Sequence, residues 1–275
     1  MKEEINGALC AWDDSGIGEP LVLIHGLSET RAAWHHQVQE FSRQFRVITY
    51  DVRGFGESET GIPEGTPQQF ARDIAGLLSN LGIDRASLWG FSMGGVIAMR
   101  FAIDYPRMVK ALVLASSSCL INRQAVEFFK LRSSLAASND LSGLIDQNTQ
   151  DAKACVTEDR PDLVQQYLDL RTGAVRDPKG YVNACAAMAS LYEHPLTEDL
   201  GKIKCPTLVI TGERDVFCPP KASSIIQNGI PGSTLRILPG AGHCAHWEQS
   251  DTFNSIASDF LTQAGDDSQQ PKRTQ

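Results

Sequence analysis

The chain has 275 residues, of which 42% are hydrophobic and 21% charged, so it can bury a sizeable core and lies outside the ranges of disordered and membrane-dominated proteins. Its 25 Lys and Arg stand against 33 Asp and Glu, and the net charge of -8 excludes a general binder of phosphate backbones, so nucleic acid is not an expected partner. No apolar run reaches the ~18 residues of a membrane span, and Met1-Lys2-Glu3-Glu4 is acidic where a signal peptide would be basic; the expectation is a cytoplasmic protein without a membrane partner.

In chain order, an antiparallel hairpin is expected around residues 2–13. Buried strands follow at Leu21–His25, Phe45–Tyr50, Ala86–Gly90, Val109–Ala115, Thr207–Thr211 and Thr234–Leu238, nearly continuously apolar as strands of a covered parallel sheet are. Between them, Phe70, Ile74, Leu77, Leu78 and Leu81 share one face of a helix over Thr66–Leu81, with Thr66, Pro67 and Gln69 forming a capping box and Gly82 a left-handed stop. A second, buried helix is predicted from Ser92 to Tyr105, ended by Pro106. From Ser116 to Gly201 the strand signal gives way to helical spacing, including Val126–Leu135 and Pro161–Leu170. This divides the chain into a core of residues 1–118 and 201–264 and a helical insertion of residues 119–200, leaving an apolar-poor tail, 265–275, read as disordered. The seven cysteines show no Cys-x-x-Cys pair and read as reduced, mostly buried thiols.

Gly90-Phe91-Ser92-Met93-Gly94 fits Gly-x-Ser-x-Gly where a strand ends and a helix begins. Such a turn strains the serine backbone, and residues two before and two after must lack Cβ atoms for strand and helix to approach. A serine hydroxyl needs a general base and a carboxylate to orient it. His243, on the glycine-flanked loop after the last strand, is the candidate base. Asp215 is the candidate acid, because the alternative position after Val109–Ala115 reads Ser116-Ser117-Ser118 and holds no carboxylate. The backbone amides of Met93, at a helix start, and Leu27, after Ile24-His25-Gly26, are the candidate oxyanion donors. His25 reads as structural, Asp51 and Arg53 as loop fasteners, and His246 as packing or capping the next helix with Trp247 beside it. His243, Cys244 and His246 lack the further ligands of a metal site, so neither a metal nor a cofactor is expected.

His25-Gly26, Asp51-x-Arg53-Gly54-x-Gly56, Gly90-x-Ser92-x-Gly94-Gly95, Asp215 and Gly242-His243 together resemble the α/β-hydrolase superfamily, over roughly residues 20–118 and 201–262. The resemblance implies an α/β fold with an eight-stranded, mostly parallel sheet flanked by helices, the insertion serving as a cap, and the triad on loops at the carboxyl edge. Haloalkane dehalogenases and epoxide hydrolases place an Asp where Ser92 stands. The Ser-Met-Gly-Gly elbow is similar to those of esterases, enol-lactonases, carbon-carbon hydrolases and cofactor-free perhydrolases. Carbon-carbon hydrolases of ring-cleavage products commonly carry Asn where this chain has Phe91, which places them behind the others. The leading expectation is therefore a carboxylic ester hydrolase, a carboxylesterase or lactonase, acting through an acyl-enzyme on a small ester or lactone. The alternatives are perhydrolysis (a haloperoxidase-type activity) or carbon-carbon cleavage on the same triad, and, behind those, a hydrolase-like binding module. In the cap, Phe128, Phe129, Leu131, Tyr167, Tyr181, Met188 and Tyr192 are read as an apolar roof or as helix packing, and Arg123, Arg132, Arg160, Arg171 and Arg176 as solvated helix faces without an assigned role.

Overall fold

A computed structural model of the chain describes residues 1–138, 141–157 and 160–267. The elements run β1 (Lys2–Ile5), β2 (Ala8–Ser15), β3 (Glu19–Ile24), α1 (His35–Phe41), β4 (Phe45–Tyr50), α2 (Pro67–Asn80), β5 (Ala86–Phe91), α3 (Met93–Asp104) and β6 (Val109–Ala115). Then come α4 (Arg123–Ala137), α5 (Leu141–Cys155), α6 (Pro161–Arg171), α7 (Pro178–Ala189), β7 (Thr207–Gly212), α8 (Pro220–Gly229), β8 (Thr234–Leu238), α9 (Ala245–Glu248) and α10 (Ser250–Asp267). The sheet has eight strands in the order β1-β2-β4-β3-β5-β6-β7-β8; β1 and β2 are antiparallel to their neighbours and β3 to β8 are mutually parallel. Among the described residues no helix is long and apolar enough to cross a membrane.

The continuous apolar strands are explained by helices on both sheet faces. Along β3, Leu21 and Leu23 enter the core that also holds Trp89, Val113 and Phe253, whereas Val22 and Ile24 enter the opposite core with Leu88, Leu112, Ile97 and Phe101. β8 departs from the expected buried strand: among the described residues it is the edge strand beside β7, and Thr234, Arg236 and Ile237 are exposed, because an edge strand need bury little.

The start of α2 corrects the predicted capping box. Thr66 Oγ1 accepts from the Gln69 amide at 3.3 Å, but the Gln69 side chain donates to the Ile62 carbonyl at 2.6 Å and accepts from Asn183 of α7 at 3.0 Å, fastening the inserted helices to the core instead of capping Thr66. The insertion lies between β6 and β7, with α4 against both α5 and α7, and α5 against α6. At the other end, α10 packs through Phe253, Ala257, Leu261 and Ala264, so its last turn runs on through 265–267, which the sequence reading assigned to a disordered tail; residues 268–275 lie outside the described residues.

The elbow glycines are dictated by contact. A Cβ on Gly90 would stand 2.2 Å from the Gly94 carbonyl oxygen, and one on Gly94 would stand 2.0 Å from the Ile24 carbonyl oxygen. Because both obstacles are backbone, Gly94→Ala must push α3 off β3, and it is expected to cost at least about 3 kcal/mol. The urea midpoint measures this, and a midpoint equal to the parent chain's would contradict the packing.

Candidate active site

Ser92 occupies the turn between β5 and α3 with φ 52° and ψ -115°, a left-handed conformation that strains a residue with a side chain. The turn is held by the Ser92 amide donating to the Ala115 carbonyl at 2.9 Å and by Ser117 Oγ donating to the Ser92 carbonyl at 2.8 Å. β7 delivers Asp215 and the loop after β8 delivers His243, and the structure brings all three side chains together. His243 Nε2 lies 3.1 Å from Ser92 Oγ, and its Nδ1 lies 2.9 Å from each Asp215 oxygen.

Asp215 is 3% exposed, and its Oδ1 also accepts from the amides of Phe217 and Cys218 at 2.9 and 2.8 Å, which fixes the carboxylate plane. Burial opposes a charged imidazole, but the Asp215 carboxylate prevails and pushes His243 up to about 9. The rings of Phe91 and Phe217 flank it at 4.9 and 5.2 Å between centroids. An alcohol, a base holding the accepted proton and a carboxylate opposite the base form a relay able to activate Ser92 for attack on a carbonyl.

The candidate oxyanion donors, Leu27 and Met93, both line the cavity that contains Ser92. Met93 opens α3, where first-turn amides have no intrahelical acceptor. His25 lies behind this loop. Its Nδ1 is 2.8 Å from the Gly26 carbonyl, which requires the proton there, and Nε2 therefore accepts from the Val52 amide at 2.9 Å. Burial lowers its proton affinity, in keeping with a neutral ring joining the ends of β3 and β4. Asp51 accepts from the amides of Arg31 and Glu57, and Arg53 pairs with Asp73. His246 packs on Phe91 and Trp34, and neither of its nitrogens has a hydrogen-bond partner among the described residues, so it packs there and does not cap. Among the described residues no group of three or more His, Cys, Asp or Glu side chains is arranged to hold a metal ion.

Glu29 escapes a sequence reading because nothing in its spacing sets it apart from a surface acid. It is 1% exposed; one carboxylate oxygen accepts from the Gly26 amide at 2.8 Å and the other from the Tyr167 hydroxyl, tying the Leu27 loop to α6.

The cavity over Ser92 and His243 has a volume of about 640 Å³ and lies between the sheet edge and the inserted helices. Phe128, Phe129, Tyr167 and Met188 line it, whereas Tyr181 packs against Phe55 in the core, and Leu131 and Tyr192 are largely exposed. Arg123 and Arg176 are exposed, Arg160 pairs with Asp162, and Arg132 pairs with the buried Asp151. Arg171 is different. It lines the cavity, is only 7% exposed and forms no ion pair among the described residues. Its Nη1 and Nη2 reach Tyr167 Oη and Asn148 Oδ1 only at 3.4 Å, and its Nε has no partner there. The available signal was spacing: Leu163, Tyr167 and Arg171 recur every four residues, which puts the arginine on the inward face of α6.

Residues 19–250 match the family described as alpha/beta hydrolase fold. The chain is 30% identical over 274 residues to a 2-hydroxy-6-oxo-6-phenylhexa-2,4-dienoate hydrolase of Comamonas testosteroni, covering 95% of this chain and 94% of the relative. It is 33% identical over 266 residues to a 2-hydroxy-6-oxononadienedioate/2-hydroxy-6-oxononatrienedioate hydrolase of Burkholderia vietnamiensis, covering 91% and 90% of the two chains. The crystal structure of the enol-lactonase from Burkholderia xenovorans superposes with a TM-score of 0.87 at 27% identity, covering 95% of this chain and all of that one. By sequence and by architecture, the chain belongs to the α/β-hydrolase family.

Proposed function

We propose that this hydrolase cleaves the carbon-carbon bond beside the ketone of a small oxo acid, with Ser92, His243 and Asp215 as the triad and Arg171 holding the substrate carboxylate. The observation that carries the reading is the buried Arg171 guanidinium, which shares the cavity with Ser92, forms no direct ion pair among the described residues and meets the Glu29 carboxylate only through the Tyr167 hydroxyl. Burying a cation without a direct ion-pair partner is costly, and a substrate carboxylate offsets that cost while fixing the reactive carbonyl over the nucleophile. The relatives named above act on a dienoate and on dioates, which contain neither ester nor amide, so hydrolysis of such a compound breaks a carbon-carbon bond. This reading replaces the carboxylic ester hydrolase expected from the motifs. On it, the dienol proton first shifts to the carbon beside the ketone, creating a second, conjugated carbonyl. Ser92, passing its proton to His243, attacks the ketone, and the amides of Leu27 and Met93 receive the developing oxyanion. The electron pair of the breaking bond is taken up by the conjugated carbonyl as a dienolate that accepts the proton from His243. Water then releases the acyl group through His243.

A second reading, hydrolysis of an enol-lactone or ester that carries a carboxylate, is favoured by Phe91. Its ring is 1% exposed against His243 and His246, and its side chain offers no hydrogen-bond donor beside Ser92 for the departing dienolate. Three substrates assayed on the purified chain separate the readings: 2-hydroxy-6-oxo-6-phenylhexa-2,4-dienoate, a carboxylate-bearing enol-lactone and p-nitrophenyl butyrate. The dienoate is expected to show the highest kcat/KM. A lactone turned over more than about tenfold better than the dienoate establishes the second reading, and preference for the uncharged ester overturns both. Because a charge-assisted hydrogen bond contributes about 1.5–3 kcal/mol, Arg171→Met is expected to lower the dienoate-to-butyrate ratio of kcat/KM by about 10- to 100-fold.

A further inference from the structure

Two thiols meet directly behind the candidate triad. Cys155 ends α5 and lines the substrate cavity, and Cys244 follows His243 and is fully buried. The Cys244 amide donates to the Cys155 carbonyl at 2.9 Å, and each thiol acts on the proton affinity of the other. By standard backbone dimensions, one N–H···O bond of that length holds the two Cα atoms about 5–6 Å apart, within the span of a disulfide. Glu248 clamps the two segments together: its carboxylate accepts from the Thr157 amide at 3.0 Å and the Gly242 amide at 2.8 Å, and its carbonyl accepts from Arg160 Nη1 at 2.9 Å.

We infer that Cys155 and Cys244 form a dithiol pair that hydrogen peroxide oxidises to a disulfide, switching the hydrolase site off. The chemical roles follow from the surroundings. Burial alone would push the Cys155 thiol up, but the neighbouring Cys244 thiol and the positive charges of His243 and Arg171 outweigh it and hold Cys155 below the ordinary cysteine range. Burial pushes Cys244 up. Cys155, facing the cavity through which a small oxidant enters, is therefore the attacking thiolate and Cys244 the resolving thiol. Cys155 sulfur attacks one peroxide oxygen, the O–O bond breaks, and sulfenic acid and water form. Cys244 sulfur then attacks the Cys155 sulfur and releases a second water. The two thiols lose two electrons, and one peroxide becomes two waters.

The thiols must close from non-bonded separation to a covalent S–S distance of about 2.05 Å, and Cys244 is peptide-bonded to His243, so the closure displaces the imidazole from Ser92. A misplacement of about 1 Å can cost about 10² in rate.

The test treats the full-length chain with hydrogen peroxide and follows Ser92 labelling by a fluorophosphonate, which does not depend on the natural substrate. Expected are a mass decrease of about 2 Da, loss of two titratable thiols, a Cys155–Cys244 cross-linked peptide, and labelling slowed by about 50-fold or more and restored by dithiothreitol. In Cys155→Ala and, separately, Cys244→Ser, the treated-to-untreated labelling ratio is expected to stay above about one half. A disulfide using Cys218 or any other cysteine, a Cys155 sulfenic acid without a cross-link, or a cross-link that leaves labelling unslowed overturns the inference. The peptide map and thiol count decide the matter on the parent chain should either variant fail to fold. An untreated chain whose Ser92 is not labelled refutes the proposed triad and leaves those two measurements to judge the thiol pair.

Discussion

Replacing Ser92 by alanine is expected to lower kcat by ~10⁴-fold or more while the chain stays folded. Alanine keeps the amide that donates to the Ala115 carbonyl and the carbonyl that accepts from Ser117 Oγ, and the change relieves no steric clash and opens no core cavity. What disappears is the single oxygen 3.1 Å from His243 Nε2, the only atom of that side chain able to bond the substrate carbon. The remaining rate would come from the oxyanion donors and from binding alone. The comparison uses kcat for the substrate that the three-way assay selects, with circular dichroism to establish equal folding. Turnover within tenfold of the parent would mean that Ser92 is not the nucleophile, whatever bond is broken.

Much of this site was legible because its chemistry is written in local constraints. Gly90 and Gly94 are required by backbone contacts of 2.2 and 2.0 Å, so the elbow announces itself as a five-residue pattern at a strand-to-helix junction. Asp215 and His243 follow the ends of β7 and β8, where parallel strands deliver side chains to one edge of the sheet. The same logic fails for the cap. Arg132 and Arg171 look alike in sequence, and only the packing of the inserted helices decides that Arg132 meets Asp151 while Arg171 forms no ion pair among the described residues; Arg160 meets Asp162 two residues on. Glu29 and Gln69 were hidden for a related reason. Each bonds a partner more than 100 residues away, Tyr167 and Asn183, and a polar side chain carries no periodic signal for such a contact. The ester expectation rested on the elbow, which is common to every member of the resemblance and says nothing about the leaving group. Information on the leaving group comes from the cavity and from the relatives.

Asp215→Asn is expected to cost about as much as loss of the nucleophile, ~10⁴ in kcat, though it changes one atom. Oδ1 accepts from the Phe217 and Cys218 amides, so an amide side chain keeps its oxygen there and turns its nitrogen toward His243 Nδ1. Facing a donor, Nδ1 must become an acceptor, which moves the ring proton to Nε2 and leaves that nitrogen unable to take the proton of Ser92. The pH profile distinguishes this from general damage. With Asp215 charged, His243 is pushed up to about 9, and the base works only when neutral, so kcat/KM of the parent falls as pH drops through a value above the ordinary 6.5. Removing the carboxylate removes the largest influence holding the proton on, and burial then lowers the imidazole. The acid limb of the variant's residual rate must therefore shift to lower pH, measured as kcat/KM from about pH 5 to 10. An unshifted limb would show that Asp215 does not set the proton affinity of His243.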